Sequence, residues 1–356
     1  MSSHLHFLLR GLHMPIKPAD RRLPSSTDVA RLAGVSQSAV SRTFTSGASV
    51  SQETREKVEK AAKKLGYVPN RIPKIMQTSS SSLIAIVVGP LENPALANIL
   101  EALTKRLQLA GLQVLIVQVD SRYSLDSAVD RLLQYRVDAI ASALSVTSKE
   151  AVAALERARI PVVSFDTRLT GEFSYLSSVS SNNFSASESV ANLLIERGAD
   201  KFLFMDGPEN SPVSQQRLAG FAAGLSGAGA RGPDVLRGNF RYEDALNVIV
   251  GEFERGGRPN GIFCANDLMA LGVLDALRLK IGLRVPEDVM VVGFDDIPQA
   301  SWLSYSLTTC RPNVEQLVDQ AMIRLGVGDQ KLDDRTELVP VLLVERQTTL
   351  PPAAKF

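Results

Sequence analysis

The chain has 356 residues, 45% of them hydrophobic and 22% charged, and its 39 basic and 38 acidic side chains leave a formal net charge of +1. All three histidines (His4, His6, His13) lie at the N-terminus, and the two cysteines have no CxxC spacing. No imidazole therefore remains for catalysis or a metal in the body, and no disulfide framework or zinc motif is present.

In chain order, residues 1–24 come first as an extension expected to be disordered, with Met14 as an alternative start. Its segment MSSHLHFLLRGLHM is too short and too interrupted for a signal peptide or a membrane span. Residues 25–69 read as three short helices. Ser25 followed by Asp28 is a capping-box pattern that opens the first, and Val29, Ala30, Leu32 and Ala33 supply its packing face. Gly34 supplies the tight turn. Ser36 caps the second helix, which turns Ala39, Val40 and Phe44 inward and leaves Gln37, Ser38 and Arg42 on one free face. Ser51 caps the third, where Val58, Ala61, Ala62 and Leu65 recur at helical spacing, and Gly66 ends it. Such a unit is a helix-turn-helix head. Charge agrees: residues 1–82 hold thirteen Lys/Arg against five Asp/Glu, net +8, while the rest of the chain stands at −7. A basic head attracts phosphates and an acidic body does not compete for them.

Residues 70–82 form a linker ending in a serine run. From Leu83 the pattern changes. LIAIVV, QVLIVQV, DAIASAL, PVVSF, KFLFM, GIFCA and DVMVVGF are buried-strand candidates separated by helical stretches. Alternation of this kind indicates parallel sheets covered on both faces, and about 270 residues suggest two subdomains. GxGxxG after a strand, the P-loop and GxSxG are absent, so enzyme readings are weak. Cys264 and Cys310 fit buried small hydrophobes in a reducing compartment.

DVARLAGVSQSAVSR and VSQETREKVEKAAKKLGYVPNR resemble the DNA-binding head of the lactose-repressor/galactose-repressor (LacI/GalR) family, and the likeness runs from about residue 25 to 350. The resemblance implies that Gln37, Ser38 and Arg42 read base edges in the major groove. Their chemistry suits that, since Gln pairs with adenine, Arg with guanine and Ser with either. Ser36, Ser41 and Thr54 would contact phosphates and set register. In the family a hinge helix forms on the operator and a Leu wedges into the minor groove. Here Met76 stands at the Leu position, Lys74 at an Arg position and Pro73 at an Ala position, with Asn70 as the N-cap. The implied core is a periplasmic-binding-protein-like pair of doubly wound lobes, about 83–181 with 311–340 and 182–310 with 341–350. Ligand would meet the C-terminal strand ends. Those ends, and the aromatic of GNF, offer Asn93, Asp166, Arg168, Arg217, Phe240, Asn266 and Asp295, with Arg217 at the effector-clamping position of Arg-x-x-Gly-Phe. Asp267 and Asp296 are open between ligand contact and a role as helix caps or lobe-packing residues. NPAL, SSNN and YEDA depart from the family pattern and bear on the effector rather than the fold.

The expected protein is a cytoplasmic homodimeric transcriptional regulator, a repressor by preference. It has no cofactor or metal, and its partners are a near-palindromic double-stranded DNA operator and a sugar-like or anionic effector. A secreted solute-binding protein would need export and no head, and a chromatin-type structural protein would need no cleft.

Overall fold

The computed structural model describes residues 23–45, 47–69, 80–89, 91–119, 125–144, 148–166, 173–209, 211–327 and 338–349. The expectations for the extension up to residue 22, for Asn70, Pro73, Lys74 and Met76 of the hinge, and for Arg168 fall outside the described residues. The chain divides into two compact units between Ser79 and Ser80.

The first unit holds α1 (Ser26–Ala33), α2 (Gln37–Thr43) and α3 (Gln52–Leu65). Ser25 and Asp28 form the reciprocal capping box, Gly34 turns the chain at φ 67°, and Ser36 and Ser51 accept from the amides of Ala39 and Thr54. Gly66 ends α3 at φ 65°, and the Gly66 and Tyr67 amides reach back to the Lys63 and Ala62 carbonyls at 3.3 and 2.9 Å, which satisfies two carbonyls the helix would leave open. Val29, Ala30, Val40, Val58, Ala61 and Ala62 make the core. Two expected core positions are not in it. Leu32 is 45% exposed and Phe44 38% exposed. Leu32 lies about 110° around the helix from the middle of the Val29, Ala30 and Ala33 face and so sits at its exposed edge. Phe44 is the C-cap of α2, where the helical spiral no longer dictates direction, and its ring leans on Tyr67 at 5.9 Å. Thr43 takes the inward place instead and silences its hydroxyl by donating to the Ala39 carbonyl.

The second unit contains two parallel sheets. The chain enters it through Ser80–Ser82, which close on Asp138: the Ser81 and Ser82 amides and the Ser80 and Ser81 hydroxyls all donate to its carboxylate, at 2.6–3.1 Å. Burial pushes the Asp138 carboxyl up, but these bonds outweigh it and hold the group below its ordinary value. The first lobe's strands are β1 (Leu83–Val88), β2 (Gln113–Gln118), β3 (Ala139–Ser142), β4 (Val162–Phe165) and β5 (Leu176–Val179), paired in the order β2-β1-β3-β4-β5. One face packs on α4 (Pro94–Leu109) and α11 (Val314–Arg324) through Leu103, Leu107, Leu317 and Val318. The other packs on α5 (Asp126–Gln134) and α6 (Lys149–Ala158) through Val129, Leu132 and Leu155.

The second lobe has β6 (Phe202–Asp206), β7 (Asp234–Arg237), β8 (Gly261–Cys264), β9 (Met290–Phe294), β10 (Thr308–Pro312) and β11 (Val341–Val344), ordered β11-β10-β9-β8-β6-β7, with only β10–β11 antiparallel. Its helices are α7 (Asn183–Glu196), α8 (Pro212–Gly227), α9 (Tyr242–Glu254) and α10 (Asp267–Asp275), the last running on into a π-turn, Ala276–Ile281. The chain passes between lobes after β5, after β10 and before β11, so each lobe is sewn from non-contiguous segments. β2 is an edge strand and only half-buried, unlike the fully buried run that QVLIVQV suggests.

Candidate nucleic-acid interface and effector cleft

On the head, Gln37, Ser38 and Arg42 are all exposed along one edge of α2. Local hydrogen bonds order them. The Gln37 amide donates to Ser26 Oγ at 2.9 Å, the Ser36 and Ser38 hydroxyls share a bond of 2.9 Å, and Arg42 Nε donates to the Ser38 carbonyl at 3.4 Å. Each bond is solvent-exposed, so exchanging it for a base edge costs little. Ser41 is exposed, and Thr54 sits half-buried in the first turn of α3, where its hydroxyl accepts from Ser51. Arg55 ties α3 to α2 by donating to the Thr43 carbonyl at 2.9 Å.

In the second unit the carboxyl ends of β1, β4, β6, β8 and β9 converge. Arg217, on α8, is their centre. Buried to 4% exposure, it donates from Nε to Asn183 Oδ1 at 2.9 Å and from Nη1 to the Ala265 carbonyl. Its guanidinium lies over the Phe294 ring, 3.5 Å from the centroid, and 3.6 Å from Asp295 Oδ1. Asp295 in turn accepts from Asn93 Nδ2 at 3.3 Å, which brings the first lobe to the second. Asp166, also from the first lobe, accepts from the Ser181 amide at 2.8 Å and from Asn183 at 3.4 Å. Burial pushes both carboxyls up, Asp295 to about 6, and Arg217 opposes the shift in each.

Backbone strain marks the same place. Asp166 (φ 50°), Phe240 (φ 60°) and Asp295 (φ 117°) occupy the left-handed region, which side-chain-bearing residues avoid unless the surroundings impose it. Phe240 is half-buried and lies flush on Gly207, where a Cβ would stand 2.5 Å from the ring. Asn266 caps α10 by accepting from the Met269 amide and steadies this loop by donating to the Phe240 carbonyl at 3.4 Å. At the rim, Arg241 meets Glu92 of the first lobe at 3.2 Å.

Asn183, Gln216 and Phe294 belong to this cluster and are not among the residues singled out from the sequence. Asn183 Nδ2 donates to Gln216 Oε1 at 3.2 Å as well as to Asp166, and its Oδ1 holds Arg217. The doubled Asn of SSNN is the only sequence signal for it. Asp267 and Asp296 serve packing. Asp267 is fully buried and accepts from Thr309 Oγ1 at 2.6 Å and the Ile297 amide at 2.9 Å. Asp296 is gripped by Arg311 and Arg346. Both cysteines are buried and free. A surface cavity of about 430 Å³ beside Glu196, Asn260 and Glu287 lies at the opposite, amino end of the second sheet, away from the convergent side chains.

Burial, reinforced by Asp295, pushes Asp267 up to about 8. A folded-state value above the ordinary one means that protonation of Asp267 stabilises the fold. That contribution is present in acid and is lost as pH rises from 3.8 through about 8. Asp295 adds the same sign up to about 6. Melting of the protein should therefore fall between about pH 5 and about pH 8, and Asp267→Asn should flatten that slope. A melting temperature that rises over this range, or an unchanged slope in the variant, would show that Asp267 is ionised throughout.

The chain matches "Bacterial regulatory proteins, lacI family" over residues 27–70 and "Periplasmic binding protein-like domain" over residues 191–349. It is 30% identical to the transcriptional regulator CelR of Thermobifida fusca over 330 residues, 91% of this chain and 96% of that one. The chain belongs to the LacI family. This regulator is also 30% identical to the transcriptional repressor PurR of Vibrio atlanticus, over 79% of the chain and 85% of the relative. Among solved structures, it resembles the lac repressor dimer bound to operator and an anti-inducer, with a TM-score of 0.78, 28% identity and coverage of 92% and 99%. It also resembles a complex of CelR with cellobiose, with a TM-score of 0.64, 26% identity and coverage of 91% and 99%. It is thus a DNA-binding transcriptional regulator with a small-molecule cleft and not an enzyme, and no helix among the described residues is long and apolar enough to cross a membrane.

Proposed function

We propose that the regulator represses its genes as a homodimer on a near-palindromic operator and is controlled by a neutral polyhydroxylated effector, a sugar, held between the lobes. The observation that carries this reading is the meeting of Asn93 and Asp295 from opposite lobes beside Arg217. A ligand seated there touches both lobes and biases their closure. Charge selects the class. One guanidinium faces two buried carboxylates, Asp166 and Asp295. An added anion would be repelled by this excess, whereas sugar hydroxyls both donate to carboxylates and accept from Arg217. The CelR relative crystallised with cellobiose supports the same class. Two-fold symmetry follows from the head, because one recognition helix reads few bases and a dimer doubles them.

Thermal-shift titration with a panel of neutral mono- and disaccharides and the matching sugar acids and sugar phosphates tests the cleft. A neutral sugar should raise the melting temperature by mass action, and a response confined to the anionic members would overturn the assignment. For the head, Arg42→Ala should weaken binding to a selected operator by about 1–3 kcal/mol and relax preference at one base pair. Equal loss on matched and scrambled duplexes would reduce Arg42 to a phosphate contact.

A further inference from the structure

Asp275, at the end of α10, bridges two parts of the second lobe through one carboxylate oxygen. Its Oδ2 accepts from the Tyr242 hydroxyl at 2.6 Å and from the Tyr305 hydroxyl at 3.0 Å. Tyr242 starts α9, directly after Phe240 and Arg241 of the cleft loop. The Tyr242 carbonyl lies against α10 so closely that a Cβ on Gly272 would stand 2.3 Å from it. With Asn266 holding the Phe240 carbonyl at the other end of α10, the 238–242 loop touches this helix at both ends.

On its other side Asp275 reaches an exposed apolar segment. Tyr305 and Ser306 donate their amides to the Trp302 carbonyl at 2.9 and 2.7 Å, and Arg278 Nη1 of the π-turn donates to the Ser304 carbonyl at 2.5 Å. Trp302 is 54%, Leu303 97% and Leu279 77% exposed. The π-turn begins at Ala276, immediately after Asp275. Such turns are local irregularities that concentrate where a helix must do more than pack. Removing either phenol leaves the other bond intact but cuts the route through the Asp275 carboxylate, so that, among the described residues, only Arg278 on the Ser304 carbonyl still ties the π-turn to the Trp302 turn.

We propose that Asp275 couples the cleft loop at 238–242 to the Leu279–Trp302–Leu303 segment, so that the state of the cleft is expressed at this surface as well as between the lobes. The proposal rests on reading the cleft as the effector site, but its test needs no effector. Phe240→Ala perturbs the loop from inside the cleft. Hydrogen exchange at the Tyr305 and Ser306 amides, which report on the Trp302 turn, should change by about 2- to 30-fold in that variant. Emission of Trp302, the only tryptophan, should shift with it. In a Tyr242→Phe background the same Phe240→Ala change should move both signals several-fold less, and Tyr305→Phe provides the same cut from the far side should the first background fold poorly. An unaltered signal in Phe240→Ala alone, or an equal response with and without the phenol, overturns the coupling. Failure of every sugar to bind would sink the effector assignment and leave these readings standing.

Discussion

Arg217→Ala is expected to destabilise the second unit by about 3–5 kcal/mol as well as to abolish effector binding, because it leaves carboxylates buried without their cation. Asp295 is 3.6 Å from the guanidinium, and Asp166 feels the same charge. The lost Nε bond also strands Asn183 Oδ1, and the lost Nη1 bond strands the Ala265 carbonyl. Placement in the core alone suggests a clean separation, with ligand response lost and all else intact. Burial of the side chain makes that separation incomplete: operator affinity should persist only well below the lowered melting temperature. Asp295, already raised to about 6, can relieve part of the cost by taking up a proton, so the penalty should be smaller near pH 5 than near pH 8. Urea unfolding of both proteins at the two pH values measures this. Wild-type stability in the variant would show that Arg217 carries ligand contacts and no structural charge.

Gly220→Ala should cost a comparable amount, about 3 kcal/mol, by forcing α8 off α7. A Cβ at 220 would stand 2.1 Å from the Phe184 carbonyl oxygen, and one at 224 would stand 2.7 Å from the Ala191 methyl. The atoms met at 220 are backbone, which cannot swing aside, so the helices must separate and the core behind Phe221 and Val190 loosens. Gly227→Ala on the same helix meets nothing within 4 Å and should be neutral or stabilising by up to about 1 kcal/mol. Thermal melts followed by circular dichroism compare the two. Equal melting temperatures would mean that α7 and α8 do not cross as closely as described.

Much of this molecule follows from local chemistry. Ser25, Ser36 and Ser51 are caps, and Gly34 and Gly66 are left-handed turns, because each helix end has a few orphan groups that only nearby residues can satisfy. Six of the seven apolar runs are strands because burial on both faces demands continuous apolar residues, and the seventh, QVLIVQV, pairs as a half-buried edge. β5, β7, β10 and β11 were not visible in the same way. LSSV and TTCRP are half polar, DVLR is a largely exposed edge, and VLLV sits alone near the C-terminus. Their strand character comes from the neighbour that supplies hydrogen bonds, not from their own pattern.

The sequence by itself determined the head, the alternation of strands and helices, the family, and which polar residues end the strands, since all of these depend on residues within a few positions of one another or on motif order. The tertiary structure alone decided what those polar residues do. It turned Leu32 and Phe44 outward, put Thr43 in the head's core, gave Asp267 and Asp296 to packing, and surrounded Arg217 with Asn183, Ala265, Phe294 and Asp295. Asn183 and Arg217 are 34 residues apart, and Asn93 and Asp295 are 202 apart. Contacts at such separation depend on how two sheets and their helices are sewn together, and periodicity along the chain carries no trace of it.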